Sequence, residues 1–462
     1  MDTDRGNFAR DETLINRRPW YVLAAALLLL SAVAHQPLAF LTALFALVIG
    51  LVPEVWYRFA LRQLRIRQQV SQPRAFFGET LSLAISVENQ KLLPLPWLEI
   101  EDEIPEQLTL LTGRAAPTYK VNRAALVNTF SLWSFQRVTR RYRLRCTARG
   151  VYTFGPATVR CGDPFGWLTR EERVQARETL LIYPLVAPIE SFGLPPRYPF
   201  GERATPRRLL EDPLRIAGVR EYALGDDPRR IHWKATARAG ELRSKIYEPS
   251  SQYRLFILLD INTYKESWMG LDPEIQELTI SAAASLAMWA LDEGYAVGLL
   301  ANSLMMGLSG ESASTGDEQA ISSVAAAEAF IHRVRVPMAR GNGQREQILS
   351  ALGRLLPYFG SPMDALIDAE RFTLPLGTTV VLVCATAVLR EETVESLVDL
   401  RAHGAVVHLA LTGDPESKVS AETYDVPVHR LGGREVWHEL TRNAGDEGHD
   451  DIGRSRASLY LD

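Results

Sequence analysis

The sequence predicts a membrane-anchored multidomain chain: an N-terminal two-helix transmembrane hairpin, an antiparallel β-sandwich, and a C-terminal doubly wound α/β domain. Three observations predict it. From Pro19 to Pro53 there is no Asp, Glu, Lys or Arg. Apolar and polar residues then alternate with a period of two, as in Leu81-Ser82-Leu83-Ala84-Ile85-Ser86-Val87. After Ser250, short wholly apolar runs alternate with helical patterns.

Length and composition bound what these elements can be. A chain of 462 residues allows about three domains. Its 47% hydrophobic and 23% charged content is that of an ordinary globular protein. A net charge of −4 gives no reason to expect nucleic acid as a partner. Cys146, Cys161 and Cys384 are too few and too scattered for a disulfide framework or a zinc cluster. They read as buried thiols in a reducing compartment.

Residues 1–17 form a short N-terminus and 18–57 the anchor. A single helix over the uncharged run would rise about 50 Å, against a hydrocarbon core of roughly 30 Å. The break at Ala34-His35-Gln36-Pro37 therefore divides it into helices over 18–34 and 37–57. Both are close to the shortest length that spans, so a shallow re-entrant hairpin stays open, as does a buried hairpin of a soluble protein. The run is too long for the apolar part of a signal peptide, and no small-x-small cleavage site follows it. Arg5, Arg10, Arg17 and Arg18 precede the first helix; Arg58, Arg62, Arg65 and Arg67 follow the second. The turn carries none, so both termini and the soluble domains are expected in the cytoplasm, on a plasma (inner) membrane. Trp20, Tyr21, Trp56 and Tyr57 stand where interfacial aromatics belong.

Residues 68–185 carry the strand signals. Tyr142, Leu144 and Cys146 alternate with Arg141, Arg143 and Arg145; Ala157, Val159 and Cys161 alternate with Thr158 and Arg160. Each pattern gives one buried and one wet face. Gly150, Gly155-Pro156 and Asp163-Pro164 punctuate them as turns. Short strands at this spacing predict a sandwich of immunoglobulin-like type. A linker over 186–212 follows. Pro188, Pro195, Pro196, Pro199 and Pro206 make it extended and stiff.

Residues 213–442 hold the α/β domain. Leu255–Leu259, Ala296–Ala301, Thr379–Cys384 and Ala405–Leu411 read as buried parallel strands. A helix capped by Asp272-Pro273 ends near Gly294, another covers about 344–358, and a third spans about 391–402 with Val394, Leu397 and Val398 as its apolar stripe. Residues 302–343 read as loop and peripheral helix, and 443–462 as a disordered tail.

Just ahead of the first of these strands lies the densest cluster of chemistry in the chain. Arg220, Tyr222, Gly225, Asp226, Arg229, Arg230, His232, Trp233, Lys234 and Arg238 fall within nineteen residues. Asp227 followed by Pro228 starts a helix and Gly240 ends it, so the spacing predicts one helix over about 228–239. On it Arg230, Lys234 and Arg238 share a face. That face is either a set of cations paired with acids of the same chain or a docking surface for an acidic partner or phosphate. His232 could serve as a general base, although no Ser/Cys nucleophile motif, Walker loop or H-E-x-x-H accompanies it. A histidine beside Trp233 is more often structural.

A second candidate lies at the carboxyl end of the first parallel strand, where ligands of such sheets gather. Asp260, Asn262 and Tyr264 give the spacing D-x-N-x-Y. It resembles the D-x-S-x-S start of the metal-ion-dependent adhesion site of von Willebrand factor A domains. Asp260 and Asn262 are thus the candidate ligands for a hard cation such as Mg²⁺. The pattern is incomplete: Tyr264 replaces a small hydroxyl, and Cys384-Ala385-Thr386 carries no carboxylate. The alternative is that Asp260 and Asn262 cap a turn.

The stretch G-D-D-P-R-R-I-H-W-K-A-T-A-R, with A-R-G-V-Y-T-F-G-P (Ala148–Pro156) and D-P-F-G-W (Asp163–Trp167), resembles the bacterial family of domain of unknown function 58. The resemblance implies a membrane-anchored chain with a von Willebrand factor A-like α/β domain. It also implies a partner, a MoxR-type AAA+ ATPase, with which such proteins are thought to serve chaperone-like assembly or envelope and stress functions. It brings no enzymatic reaction, no small-molecule substrate and no cofactor. The expected function is therefore a membrane-anchored adaptor or scaffold rather than an enzyme. The alternatives are a metal-dependent hydrolase or a cation-dependent receptor for a protein ligand, using the Asp260 region.

Overall fold

The computed structural model describes residues 18–33, 35–163, 169–175, 178–196, 199–200, 211–223, 226–249, 253–306, 333–357, 359–413 and 425–447. It divides into two compact units. The first is Met1–Ser71, Leu81–Leu144 and Thr153–Glu178; the second is Gln72–Thr80, Arg145–Tyr152 and Thr179–Asp462. The chain thus leaves the sandwich twice, at 72–80 and at 145–152, before entering the second unit for good. Alternation along a strand cannot reveal such excursions, which is why 68–185 reads as one block.

In the first unit, α1 (Arg18–Val33) and α2 (Pro37–Phe59) are in contact. Pro37 occupies the first turn of α2, where its missing N–H leaves no bond unmade. Among the described residues α2 is the one helix long and apolar enough to cross a membrane, with a mean hydropathy of 2.3. The 16 residues of α1 rise only about 24 Å, short of a roughly 30 Å core. Among the described residues the structure therefore shows one candidate span. Arg5, Arg10 and Arg17 lie outside the described residues.

Two sheets follow. One has the order β1 (Leu64–Val70), β3 (Thr80–Asn89), β8 (Arg137–Arg145), β5 (Thr109–Leu110). The other has the order β11 (Thr169–Val174), β10 (Ala157–Gly162), β4 (Leu95–Pro105), β7 (Arg123–Leu132), β6 (Ala116–Pro117), with all neighbours antiparallel. The period-two patterns become burial: Leu81, Leu83, Ile85 and Val87 of β3, Leu144 of β8, and Ala157, Val159 and Cys161 of β10 are all buried. Tyr142 of β8 donates its hydroxyl to Asn128 Oδ1 of β7, so the two sheets face each other.

The second unit centres on a six-stranded sheet. Its order is β17 (Val334–Ala339), β16 (Ala296–Ala301), β15 (Arg254–Leu259), β18 (Thr379–Ala385), β19 (Val406–Thr412), β20 (Val428–Arg430). All neighbours are parallel except the antiparallel edge pair β16/β17. Alternate residues of β15 enter different cores. Leu255, Ile257 and Leu259 pack with α4 (Pro273–Asp292) and α5 (Asn342–Gly353); Phe256 and Leu258 pack with α6 (Met363–Glu370) and α7 (Glu391–Ala402). Helices on both faces are what makes the sheet doubly wound. Asp272 caps α4 as expected, accepting from the N–H groups of Glu274 and Ile275.

Four expectations need correction here. Strand β17 lies in the stretch read as loop and peripheral helix; Pro337 within it masked the pattern, and its edge position is where a strand tolerates proline. The start of the proline-rich segment is packed: Leu185, Ile189, Phe192 and Leu194 are buried in the core that covers α4. Proline stiffness is used there to lay chain along a surface, while residues 201–210 lie outside the described part. The expected tail begins as helix, because α8 (Arg434–Glu447) continues through Asn443, with Ala444 packed on the same core. Residues 448–462 lie outside the described part. The signature segment, last, is not a single helix.

Candidate functional site

The signature segment sits on a hairpin. Strands β13 (Glu211–Glu221) and β14 (Arg243–Pro249) pair antiparallel, and the residues between them form the tip. Arg220 bonds the Asp226 carboxylate and holds its pKa below the ordinary value. The other Asp226 oxygen accepts from Ala223 N–H at 3.0 Å, and the Tyr222 hydroxyl donates to the Asp226 carbonyl at 2.7 Å. Gly225 lies outside the described residues.

Asp227 caps only a 3-10 turn, Pro228–Arg230, by accepting from Arg229 N–H. Ile231 then bridges to Ser244, and His232 N–H donates to the Arg243 carbonyl. The helix proper, α3 (Trp233–Ala239), starts afresh with His232 as its cap. His232 Nδ1 accepts from Ala235 N–H at 3.1 Å, which places any ring proton of the neutral form on Nε2. The nitrogen is committed to the backbone, so the geometry gives His232 a capping role. Gly240 ends α3 with φ of 71°, a left-handed turn that glycine adopts without strain.

This break changes which cations act together. Arg230 stands outside the helix, so Lys234 and Arg238 share a face of α3 without it. Trp233 is 69% exposed. Arg229, Lys234 and Arg238 are exposed and form no ion pair among the described residues. The acids of the hairpin serve other cations: Asp226 holds Arg220, while Glu221 and Glu241 lie near Arg243.

The second candidate lies at the carboxyl ends of β15 and β18. From β15 the chain proceeds to β16 on one side and β18 on the other, so this is where strand order reverses, the usual ligand position in such sheets. A small crevice there is lined by Asp260, Asn262, Lys265, Pro362, Arg390 and Thr393, among others. Asp260 Oδ1 accepts from Asn262 N–H at 3.0 Å and from Asn302 Nδ2 at 2.7 Å. Asn262 Oδ1 accepts from Gly360 N–H at 2.8 Å. Gly360 is required by this approach, since a Cβ would stand 1.7 Å from the Asn302 carbonyl oxygen.

Asp260 Oδ1 and Asn262 Oδ1 thus help tie three loops together. Among the described residues no group of three His, Cys, Asp or Glu could hold a metal ion, and Lys265 and Arg390 face the same crevice. Asn302 was missed by sequence reasoning. Its place directly after a parallel strand was the available signal.

Burial pushes the Asp260 carboxyl up to about 6, against the hydrogen bonds from Asn302 and Asn262 that favour the charged form. A carboxyl raised from its unfolded value of 3.8 is held in its protonated form by the fold, so the stability it contributes is full below pH 4 and declines as pH rises to 6. The decline amounts to about 3 kcal/mol at most. Asp260→Asn, which keeps an acceptor oxygen, is expected to flatten this part of the stability profile. Urea unfolding of wild type and variant between pH 4 and pH 7 checks it, and parallel curves would refute it.

These features define a chain with one candidate membrane helix, a β-sandwich, and a doubly wound α/β unit bearing an exposed basic hairpin. Residues 218–345 match the family model described as protein of unknown function DUF58, so the chain carries the segment that marks that family. The uncharacterized protein YeaD of Bacillus subtilis (strain 168) is 24% identical over 242 residues, covering 52% of this chain and 56% of the relative. The match therefore spans about half the length of that relative. Among solved structures, a non-cellulosomal cohesin from Archaeoglobus fulgidus shows 12% identity, covering 26% of this chain and 91% of its own, with a TM-score of 0.19. Proximal thread matrix protein 1 from the mussel byssus shows 13% identity, covering 42% and 47%, with a TM-score of 0.27. Likenesses at these scores carry no argument.

Proposed function

We propose that this chain is a membrane-anchored adaptor whose signature hairpin docks a cytoplasmic AAA+ ATPase of the MoxR type. The carrying observation is Trp233, exposed between Arg229, Lys234 and Arg238, which form no ion pair among the described residues. A large aromatic beside cations is what interface hot spots are made of. A tryptophan with 69% of its surface in water gains little from folding. The resemblance to domain of unknown function 58 suggests the partner class, and α2 with the arginines that follow it supports reading an anchor with the soluble units on the cytoplasmic side. In this reading the chain works by presentation and carries out no chemistry of its own. His232 supports that view, since its Nδ1 caps α3.

Trp233→Ser combined with Lys234→Glu tests it in the full chain. Both side chains are exposed, so the unfolding midpoint should not move. Recovery of an AAA+ ATPase from solubilised membranes, identified by mass spectrometry, should fall at least tenfold. Equal recovery with wild type and variant, or no AAA+ ATPase recovered with wild type, refutes the reading.

A further inference from the structure

A second apolar surface lies on the sandwich, at the end where α2 joins it. Loop 90–94 connects β3 to β4, and loop 133–136 connects β7 to β8. They meet: Phe135 N–H donates to the Lys91 carbonyl at 3.3 Å, and the buried Asn89 side chain donates to the carbonyls of both Leu93 and Trp133, at 2.9 and 3.0 Å. Gln136 Oε1 accepts from Trp133 N–H at 2.7 Å and closes the turn. The backbone is well ordered by these bonds, yet the side chains it presents are in water. Leu92 is 78% exposed, Trp133 73% and Phe135 66%.

Two features set this patch apart from incidental surface residues. Phe135 has φ of 56°, a left-handed conformation that asparagine or glycine adopts far more readily than a bulky aromatic. The position thus combines backbone strain with exposure and gains little burial in return. The patch is also fixed to the chain leaving α2. Gln90 N–H donates to the Gln63 carbonyl at 3.0 Å, and the Lys91 ammonium donates to the Arg62 carbonyl at 2.9 Å. Residues 62 and 63 follow Phe59, the last residue of α2, by about one helical turn of chain. Arg58 and Arg62 are exposed at the same place, the Arg62 guanidinium lying 5.0 Å from the Phe59 ring centre.

We propose that Leu92, Trp133 and Phe135 form an interfacial anchor that enters the headgroup region of the leaflet from which α2 emerges. The inference rests on reading α2 as a membrane helix. Exposed aromatics on loops bonded to the chain just beyond its last turn then lie at headgroup depth, where aromatic rings are favoured. Arg62 complements anionic lipid there, while Arg58 is paired with Glu54 at 2.9 Å. The contact would hold the sandwich at a fixed tilt on the bilayer instead of letting it swing about the end of the helix.

The test uses the full chain in phosphatidylcholine–phosphatidylglycerol vesicles with an environment-sensitive fluorophore on single introduced cysteines. The three native thiols are buried. Ser134→Cys reports the tip. Val121→Cys, 86% exposed beyond the opposite end of β4, is the soluble control. Leu44→Cys reports α2. The expected result is that a headgroup-level nitroxide lipid quenches position 134 several-fold more than position 121, while an acyl-chain nitroxide quenches position 44. Adding Leu92→Ser, Trp133→Ser and Phe135→Ser should reduce quenching at 134 to the level of 121. If 134 matches 121 while 44 is quenched from the acyl chain, α2 spans and the interfacial anchor is wrong. If 134 is shielded from aqueous iodide without lipid quenching, a protein or a second copy covers the tip and the proposal fails. If 44 is not quenched, the membrane reading of α2 fails and takes the anchor with it.

Discussion

Replacing Arg149 by Met is expected to destabilise the α/β unit by about 3–5 kcal/mol. Arg149 belongs to the excursion 145–152 and has only 3% of its side-chain surface exposed. Its Nε stands 2.9 Å from Glu277 Oε2 on α4. Its Nη1 donates to the carbonyls of Leu352 and Leu355, at 3.1 and 2.9 Å, at the C-terminal end of α5. One guanidinium therefore neutralises a carboxylate and satisfies carbonyls that no intrahelical N–H can reach. Glu277 keeps 27% of its side-chain surface, but crowding by α4 and its neighbours still raises its pKa, with Arg149 opposing the rise. Methionine fills most of the volume while removing every one of these partners. Glu277→Gln removes one charge and keeps an acceptor oxygen, so it should cost well under half as much. Hydrogen exchange of the α4 and α5 amides reads both variants. Equal, small losses of protection would show that the ion pair contributes little.

Arg149 also shows where legibility ends. The run A-R-G-V-Y-T-F-G-P marks it as unusual, but its partners lie 128 and more than 200 residues away, and no period links them. Strands β3, β8, β10, β15, β16, β18 and β19 were readable because burial on one face or both is written in local apolar spacing. The excursions at 72–80 and 145–152 were not, because a strand that changes unit keeps its alternation. At the signature, Asp227-Pro228 and Gly240 marked real boundaries, and only the break at Ile231 was hidden. It arises from pairing with Ser244 across the hairpin, a contact that opposes the helical spacing of Arg230, Lys234 and Arg238. At the Asp260 crevice the residue types were legible, but their commitment to Asn302 and Gly360 depends on loops brought together by the sheet.

Asp102→Asn is expected to stabilise the β-sandwich at pH 8 and to have little effect at pH 4. Asp102 lies on β4 with no exposed surface, and neither carboxylate oxygen has a hydrogen-bond partner of good geometry. Gln68 of β1, on the facing sheet, is near enough to favour the charged form slightly, yet both its amide atoms also lack a well-placed partner. Burial dominates and pushes the carboxyl from 3.8 up to about 7. With the folded value above the unfolded one, the native sandwich retains a proton that the unfolded chain releases. The stability contributed by Asp102 is therefore complete below pH 4, shrinks as pH rises towards 7, and is gone above it. The difference is about 4 kcal/mol between the two ends, reduced by whatever water reaches the site when the carboxylate charges. Asparagine occupies the same space without titrating, so the variant should lose the slope. Its own amide would still be buried beside Gln68, which limits the gain at pH 8 to about 2 kcal/mol. Hydrogen exchange of β4 and β7 amides at pH 5 and pH 8, corrected for intrinsic rates, isolates this unit from the α/β unit. If wild type shows the same opening free energy at both pH values, Asp102 is not the strained acid its surroundings imply. If only the variant is flat, a carboxylate placed inside a sheet-on-sheet core makes the sandwich loosen as pH rises through neutrality.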